Sequence, residues 1–328
     1  MLRIEITDRC NLRCNYCPRS LGIDGKNGDM DFETFKKIVD YCAKKGVEIY
    51  AFIGIGEPTL YPNLVEAVAY VKNQVPNATI GFNTNGIRLS YELGRELSVA
   101  GLTRITISIN ATSKEQYKRL NGLDIYDKVV KNTQDFLRAV NESEKRVKVL
   151  LNVMCGRVNC KEQVEAFKSF WKPFLGECGA IGEVELGNWG GLIDAEKLIE
   201  NEITARGEEI TRTPQKLLNL ETTKENDIFC KRYPCLLLLE AYNIAGNGEA
   251  LPCCSLPSSS LGDLKLGNIA DQSLEEIYYG QKSKELWRKN LNCELYRLSP
   301  CKECSGWSWH ANVWWRNPFY PLFGTKWF

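Results

Sequence analysis

Leu2–Thr7 (LRIEIT), followed closely by Cys10–Cys17 (CNLRCNYC), is the stretch on which the fold turns. The first run is apolar and strand-like. The second places Cys10, Cys14 and Cys17 in a CxxxCxxC loop, three soft thiolates within one short turn. Such ligands suit iron–sulfur clusters. A four-iron cubane has four iron corners, so three protein thiolates leave one iron free to bind and reduce a small molecule. Zinc is the competing occupant, but its structural sites take four protein ligands with CxxC-type pairs. No fourth Cys or His lies near this loop in sequence. A disulfide would need an oxidising compartment.

The wider sequence argues against such a compartment. The 328 residues are 44% hydrophobic and 25% charged, as in a globular protein with a sizeable core. A net charge of +1 gives no footprint for nucleic acid, and no apolar run approaches a membrane span. The chain opens on its first strand, so no secretory signal is expected, and a reducing, cytoplasmic setting is. Fourteen cysteines in such a setting read as metal ligands rather than disulfides. His310 is the sole histidine, which leaves little room for His-based acid–base or metallohydrolase chemistry.

Strand-like and helix-like runs alternate through the first 190 or so residues. Strands are predicted at Leu2–Thr7, Glu48–Ile53, Thr79–Phe82, Arg104–Ile109, Val147–Met154 and Glu183–Leu186. Helices are predicted at Phe32–Lys45, Leu60–Lys72, Tyr91–Ala100, Asp127–Val140 and Lys161–Trp171. Alternation of this kind implies an α/β fold with parallel strands and outer helices. Six units make most of an eight-fold barrel, a partial (β/α)6 TIM-like barrel with its chemistry at the C-terminal strand ends. The polar stretch Leu192–Asp227 reads as one or two exposed helices. The expected division is therefore a barrel over 1–191, a helical linker over 192–229, and a Cys- and aromatic-rich region over 230–328.

The cysteine spacing, placed after the first strand, resembles the radical S-adenosylmethionine (SAM) enzymes. The second strand ends in Gly54-Ile55-Gly56-Glu57-Pro58, similar to the Gly-Gly-Glu-Pro segment that holds the SAM amino group in that family, with Ile55 at one glycine position. Taken alone, this segment also fits an ordinary strand-to-helix turn. The resemblance implies further SAM contacts at Tyr16, Asn85, Ser108, Asn110, Asn152 and Met154, alongside Gly56, Glu57 and Pro58.

The C-terminal region extends the resemblance. Cys235 is followed after twelve residues by Gly248, after four more by Cys253, and later by Cys301 and Cys304 in a CxxC. This matches the start of the SPASM, or shorter twitch, extension of radical SAM enzymes. Gly248 permits a hairpin turn that brings Cys235 and Cys253 together. The CxxC then completes four thiolates for one auxiliary [4Fe–4S] cluster. A four-Cys zinc ribbon would use the same atoms. The sixth position after Cys304 is His310, where a full SPASM extension carries a further cysteine, so the resemblance is to the one-cluster form, that of the group's aminocyclitol dehydrogenase. Cys42, Cys155, Cys160, Cys178, Cys230 and Cys293 read as small apolar residues or surface thiols. Cys254, beside an expected ligand, is the candidate hydrogen-atom donor. The tail with Trp307, Trp309, Trp314, Trp315 and Trp327 reads as packing across the barrel.

The resemblance implies reductive cleavage of SAM to a 5′-deoxyadenosyl radical, which removes a hydrogen atom from substrate. The first expectation is dehydrogenation of a small polar or sugar-like molecule, with the auxiliary cluster as electron acceptor. Glu185, Asn188 and Trp189, near the sixth strand's end, are candidate substrate-lining residues. An electron donor such as flavodoxin or ferredoxin is implied. The alternatives are a redox-neutral epimerase using Cys254, a ribosomal peptide-modifying enzyme, or, from another class, an iron–sulfur binding or maturation protein.

Overall fold

The computed structural model describes residues 1–23, 28–208, 235, 237–238, 241–254 and 256–304. Six strands lie side by side in chain order, all parallel: β1 (Leu2–Ile4), β2 (Ile49–Phe52), β3 (Thr79–Thr84), β4 (Arg104–Asn110), β5 (Lys148–Met154) and β6 (Gly179–Val184). Between them run α1 (Phe32–Lys44), α2 (Leu64–Gln74), α3 (Tyr91–Ala100), α4 (Lys114–Asn121), α5 (Tyr126–Glu142) and α6 (Lys161–Leu175). Because strand order never reverses, right-handed crossovers keep these helices on one face and the sheet curls as a partial barrel. The register puts Ile4, Phe52, Phe82, Ile105 and Val149 in one row, and all are buried beneath the helices. The alternate residues, among them Arg3, Glu5, Arg104, Ser108 and Asn152, belong to the opposite, concave face. Its polarity suits a lined cleft rather than a second apolar core.

The C-terminal region extends this sheet. β7 (Tyr242–Ile244) runs parallel beside β1, then β8 (Glu249–Leu251) and β9 (Gly267–Asn268) follow antiparallel. The β7–β8 turn closes with Gly248 N–H on the Ala245 carbonyl at 2.9 Å. Gly248 has φ +81°, and an added Cβ would lie 2.9 Å from Ile269. The hairpin expected at this glycine is therefore present. Three helices complete the described chain: α7 (Ala195–Ala205), α8 (Leu274–Tyr279) and α9 (Gln281–Leu291).

Three local differences from expectation have physical causes. β6 spans Gly179–Val184 rather than Glu183–Leu186. Its Gly-Ala-Ile-Gly start has weak strand propensity, but it pairs along β5 from Val149↔Gly179 to Met154↔Val184. Gly182 faces Asn152, whose Oδ1 would lie 2.4 Å from an added Cβ. Second, α2 begins at Leu64, not Leu60, because Pro62 keeps Tyr61 extended at φ −71°, ψ 122°. Third, α4 has few apolar residues and was not expected. Its ends define it: Ser113 Oγ accepts from Gln116 N–H, and Gly122 closes it at φ +80°. Of the polar linker, α7 is described; 209–229, like Cys230, His310 and the Trp-rich tail, lies outside the described residues.

Candidate active site

The loop after β1 carries Cys10, Cys14 and Cys17, with Cys17 N–H on the Cys14 carbonyl at 3.0 Å. The cysteines are electrostatic neighbours. Burial pushes the Cys14 thiol up to about 12; its contact with Tyr16 lowers it, and Cys17 and Cys10 raise it further. Burial likewise raises Cys10. Three neighbouring thiols at a strand end offer soft donors, and metal binding to such thiols displaces their protons.

The loop is held from two sides. Asn15 N–H bonds the Leu120 carbonyl at 2.9 Å, and Asn15 Nδ2 bonds that of Arg119 at 3.2 Å. At the end of α4, Asn121 Oδ1 accepts from Tyr16 Oη at 2.8 Å and from Cys14 Sγ at 3.1 Å. Asn110 Nδ2 donates to Tyr16 Oη at 3.2 Å. Asn110 sits at φ +60°, where the β4–β5 register shifts, a strained conformation for a residue other than glycine. Sequence reasoning named Tyr16 and Asn110 but missed Asn121. Its signal was the Ser113–Gly122 cap pair of a short helix.

Opposite lies Gly54–Pro58. Gly56 packs so closely on β1's extension that an added Cβ would stand 2.0 Å from the Thr7 carbonyl oxygen. Glu57 N–H donates to the Arg9 carbonyl at 2.7 Å, stitching this turn to the cysteine loop. The Glu57 carboxylate is 3% exposed. It accepts from Thr59 N–H at 3.1 Å, the Thr59 and Thr84 hydroxyls at 2.6 Å each, and Asn85 N–H at 2.8 Å. Four internal donors make it a brace between the β2 and β3 ends. Pro58 opens the short turn that Glu57 caps. Asn85 Nδ2 bonds Asn11 Oδ1 at 2.7 Å and stands 4.0 Å from Cys10 Sγ.

Glu5 was not singled out from sequence. Its carboxylate accepts from Ile55 N–H at 2.7 Å and from Gly246 N–H at 3.2 Å. It thereby joins β1, the glycine turn and the C-terminal hairpin. Burial raises its carboxyl above the ordinary value; the two backbone donors and Arg19 oppose this, and Asp8 adds to it. Ser108 and Asn152 are register partners on the concave face, and Met154 is buried at the end of β5.

The second group of thiols lies under the C-terminal region. Cys235, Cys253, Cys301 and Cys304 line one cavity of about 50 Å³, together with leucines and Asn290. The four cysteines expected from spacing thus share a wall. A fifth, Cys293, expected as a small apolar residue or surface thiol, shares it too. Burial raises the Cys235 thiol, and its neighbours Cys304 and Cys254 add to this. Cys254 is not among the residues lining this cavity. The thiols surround a space rather than converge on a point: among the described residues, no three His, Cys, Asp or Glu side chains group as for a single metal ion.

The expected substrate residues follow the end of β6. Glu185 lies beyond β6, and Asn188–Gly191 form a tight turn. Asn188 Oδ1 accepts from Gly190 N–H at 3.2 Å, and its Nδ2 donates to the Glu303 carbonyl, inside the CxxC, at 2.8 Å. Trp189, Gly190 and Gly191 all have positive φ. An added Cβ on Gly191 would stand 2.7 Å from Glu303 Cβ. Asn188 and its turn thus join β6 to the auxiliary cysteines.

Two groups of thiols, one in the loop after β1 of a parallel sheet and one around a cavity of the C-terminal region, fit the class of iron–sulfur proteins. The sequence profile of the Radical SAM superfamily matches residues 4–170, and that of the SPASM iron–sulfur cluster-binding domain matches 235–305. The chain belongs to the Radical SAM superfamily. It is a radical SAM enzyme with a SPASM domain, and SAM, a [4Fe–4S] cluster and auxiliary iron–sulfur binding come with that membership. It is similar to a probable GTP 3′,8-cyclase of Pyrococcus abyssi, 35% identical over 40% of this chain and 42% of that protein. A GTP 3′,8-cyclase of Staphylococcus haemolyticus is 30% identical over 62% and 59%. The chain spans about half the length of such curated relatives. Among solved structures, BtrN in complex with AdoMet and 2-DOIA has a TM-score of 0.57 at 17% identity, covering 93% of this chain and 92% of that one. Streptococcus suis SuiB bound to precursor peptide SuiA has 0.61 at 17%, covering 93% and 69%. These two likenesses concern the fold. No helix among the described residues is long and apolar enough to cross a membrane.

Proposed function

We propose that this radical SAM enzyme oxidises a small polar, sugar-like substrate and passes the second electron to its auxiliary cluster. Cys10, Cys14 and Cys17 hold the SAM-binding cluster, and Cys235, Cys253, Cys301 and Cys304 hold the auxiliary one. With both clusters and SAM bound, the site supplies a 5′-deoxyadenosyl radical that removes one hydrogen atom from a carbinol carbon. The substrate radical then loses a hydroxyl proton and one electron, leaving a carbonyl. Within this reading the chain divides near residues 191 and 229, as its composition suggests. Tyr16, Asn85, Asn110, Ser108, Asn152 and Met154 would border bound SAM, and the carbonyls of the Gly54–Gly56 turn would accept from its ammonium group. Glu57 braces that turn. Glu185 and Trp189 flank the approach to substrate.

The observation that carries the reading is the cavity with enough thiols to saturate a cubane. A cluster with no open iron is suited to accepting electrons rather than to binding substrate. A second reading is favoured by the relatives' names: conversion of a nucleoside triphosphate such as GTP.

Anaerobic turnover with SAM, a strong reductant and heavy water tests the proposal. Incubation with aminocyclitols and sugars, and separately with GTP, is followed by 5′-deoxyadenosine release. An oxidised polyol product free of solvent deuterium is expected. Deuterium at the reacting carbon would favour epimerisation with Cys254 as donor, and turnover on GTP alone would overturn the dehydrogenase reading.

A further inference from the structure

The C-terminus of α9 is built around two residues of the auxiliary cavity. Asn290, 1% exposed, clamps Cys235: its Oδ1 accepts from Cys235 N–H at 2.7 Å and its Nδ2 donates to the Cys235 carbonyl at 3.0 Å. The helix then ends in a Schellman motif. Cys293 N–H bonds the Asn290 carbonyl at 3.0 Å, and Glu294 N–H bonds that of Lys289 at 2.8 Å. Cys293 occupies the left-handed position of that motif, at φ +57°. Glycine is the usual occupant, because a Cβ is unfavourable there. A cysteine is held instead, and it lines the cavity with Cys235, Cys253, Cys301 and Cys304.

A strained backbone that sets a fifth thiol on the wall of a four-thiol cavity points to a ligand. We infer that Cys293 is a reserve ligand of the auxiliary cluster, able to replace one of the four cysteines on its iron. The exchange is balanced. One iron–sulfur bond breaks as another forms, the Cys293 proton passes to the departing thiolate, and no electron is gained or lost. The inference rests on the reading that the auxiliary cluster occupies this cavity.

The test uses the full-length chain after anaerobic reconstitution. Cys235, Cys253, Cys301 and Cys304 are each changed to Ala, alone and combined with Cys293→Gly. Glycine removes the thiol and relieves the left-handed backbone, so a Tm at or above wild type shows that folding is intact. Iron and sulfide per chain are measured, with low-temperature EPR of the reduced protein; the SAM-bound cluster is recognised by its change on adding SAM. Cys293→Gly alone should keep both signals. At least one single Ala variant should keep the auxiliary signal and lose it, with about four irons, once Cys293→Gly is added. Loss of the auxiliary signal in all four single variants, or in Cys293→Gly alone, would overturn the reserve role. A wild type whose iron is indifferent to all four cysteines would instead overturn the auxiliary-cluster reading itself.

Discussion

At Gly56, one methyl group decides whether the turn after β2 can lie against the cysteine loop. An added Cβ would meet the Thr7 carbonyl oxygen at 2.0 Å, and that oxygen is backbone with no room to retreat. Gly56→Ala should therefore push the turn outward and weaken SAM binding by about tenfold or more, roughly 1.4 kcal/mol, while the iron content stays at the wild-type level. Equilibrium binding of SAM to reconstituted protein checks this; unchanged affinity would contradict the geometry. Glu5 offers a pH test. Its folded pKa lies above the ordinary value of 4.5, so the folded protein holds the proton more tightly than the unfolded chain. The stability this contributes is fully present below pH 4.5 and is lost as pH rises through the folded value. The Tm of wild type relative to Glu5→Gln should fall as pH climbs from 4.5, and a flat difference would contradict it. Cys10, Cys14, Cys17 and Gly56 were legible because their spacing is itself the signal. Glu5 and Asn121 were not, because their roles depend on partners far away in sequence: Gly246 for one, Cys14 for the other.

Among the elements, those with clear periodicity were read well. α3 spans Tyr91–Ala100 as the alternation predicts, and α1 differs by one residue at its end. β6 was misplaced because a glycine-rich strand formed by pairing carries no periodic signal of its own. α4 was missed for a related reason: buried Tyr117 and Leu120 are too few to set a period, and its caps define it. α9 shows how an element can serve a site without contributing an expected ligand. Its Asn290 satisfies both backbone polar groups of Cys235. Asn290→Ala should lose two hydrogen bonds and cost about 1–3 kcal/mol. It should also loosen Cys235, lowering auxiliary iron while leaving the SAM-responsive EPR signal. Loss of both signals together would contradict a local role, with Tm measured to exclude general unfolding.

In the whole molecule, the C-terminal region reaches the two edges that the six-stranded sheet leaves open. β7 pairs with β1 on one side, and Asn188 bonds Glu303 beyond β6 on the other. Glu5 adds a third tie, through Gly246, beside the glycine turn. The alternation and the Cys-x12-Gly-x4-Cys spacing made the two regions legible in the sequence. Their joining was not, because β7 is three residues long and its partner strand lies at the other end of the chain. Nor did the sequence indicate that Asn188 is a joint: an asparagine at a strand end reads the same whether it faces a ligand or a loop. The proposed oxidation requires one chain to hold two separate cubanes at two thiol sets. Iron and sulfide per chain, measured after anaerobic reconstitution, test it most directly in wild type, in Cys10/Cys14/Cys17→Ala, and in Cys235/Cys253/Cys301/Cys304→Ala with Cys293→Gly. About eight irons in wild type and about four in each variant are predicted. About four in wild type, falling to none when the first three cysteines are removed, would contradict it and take away the electron acceptor on which the proposed oxidation depends.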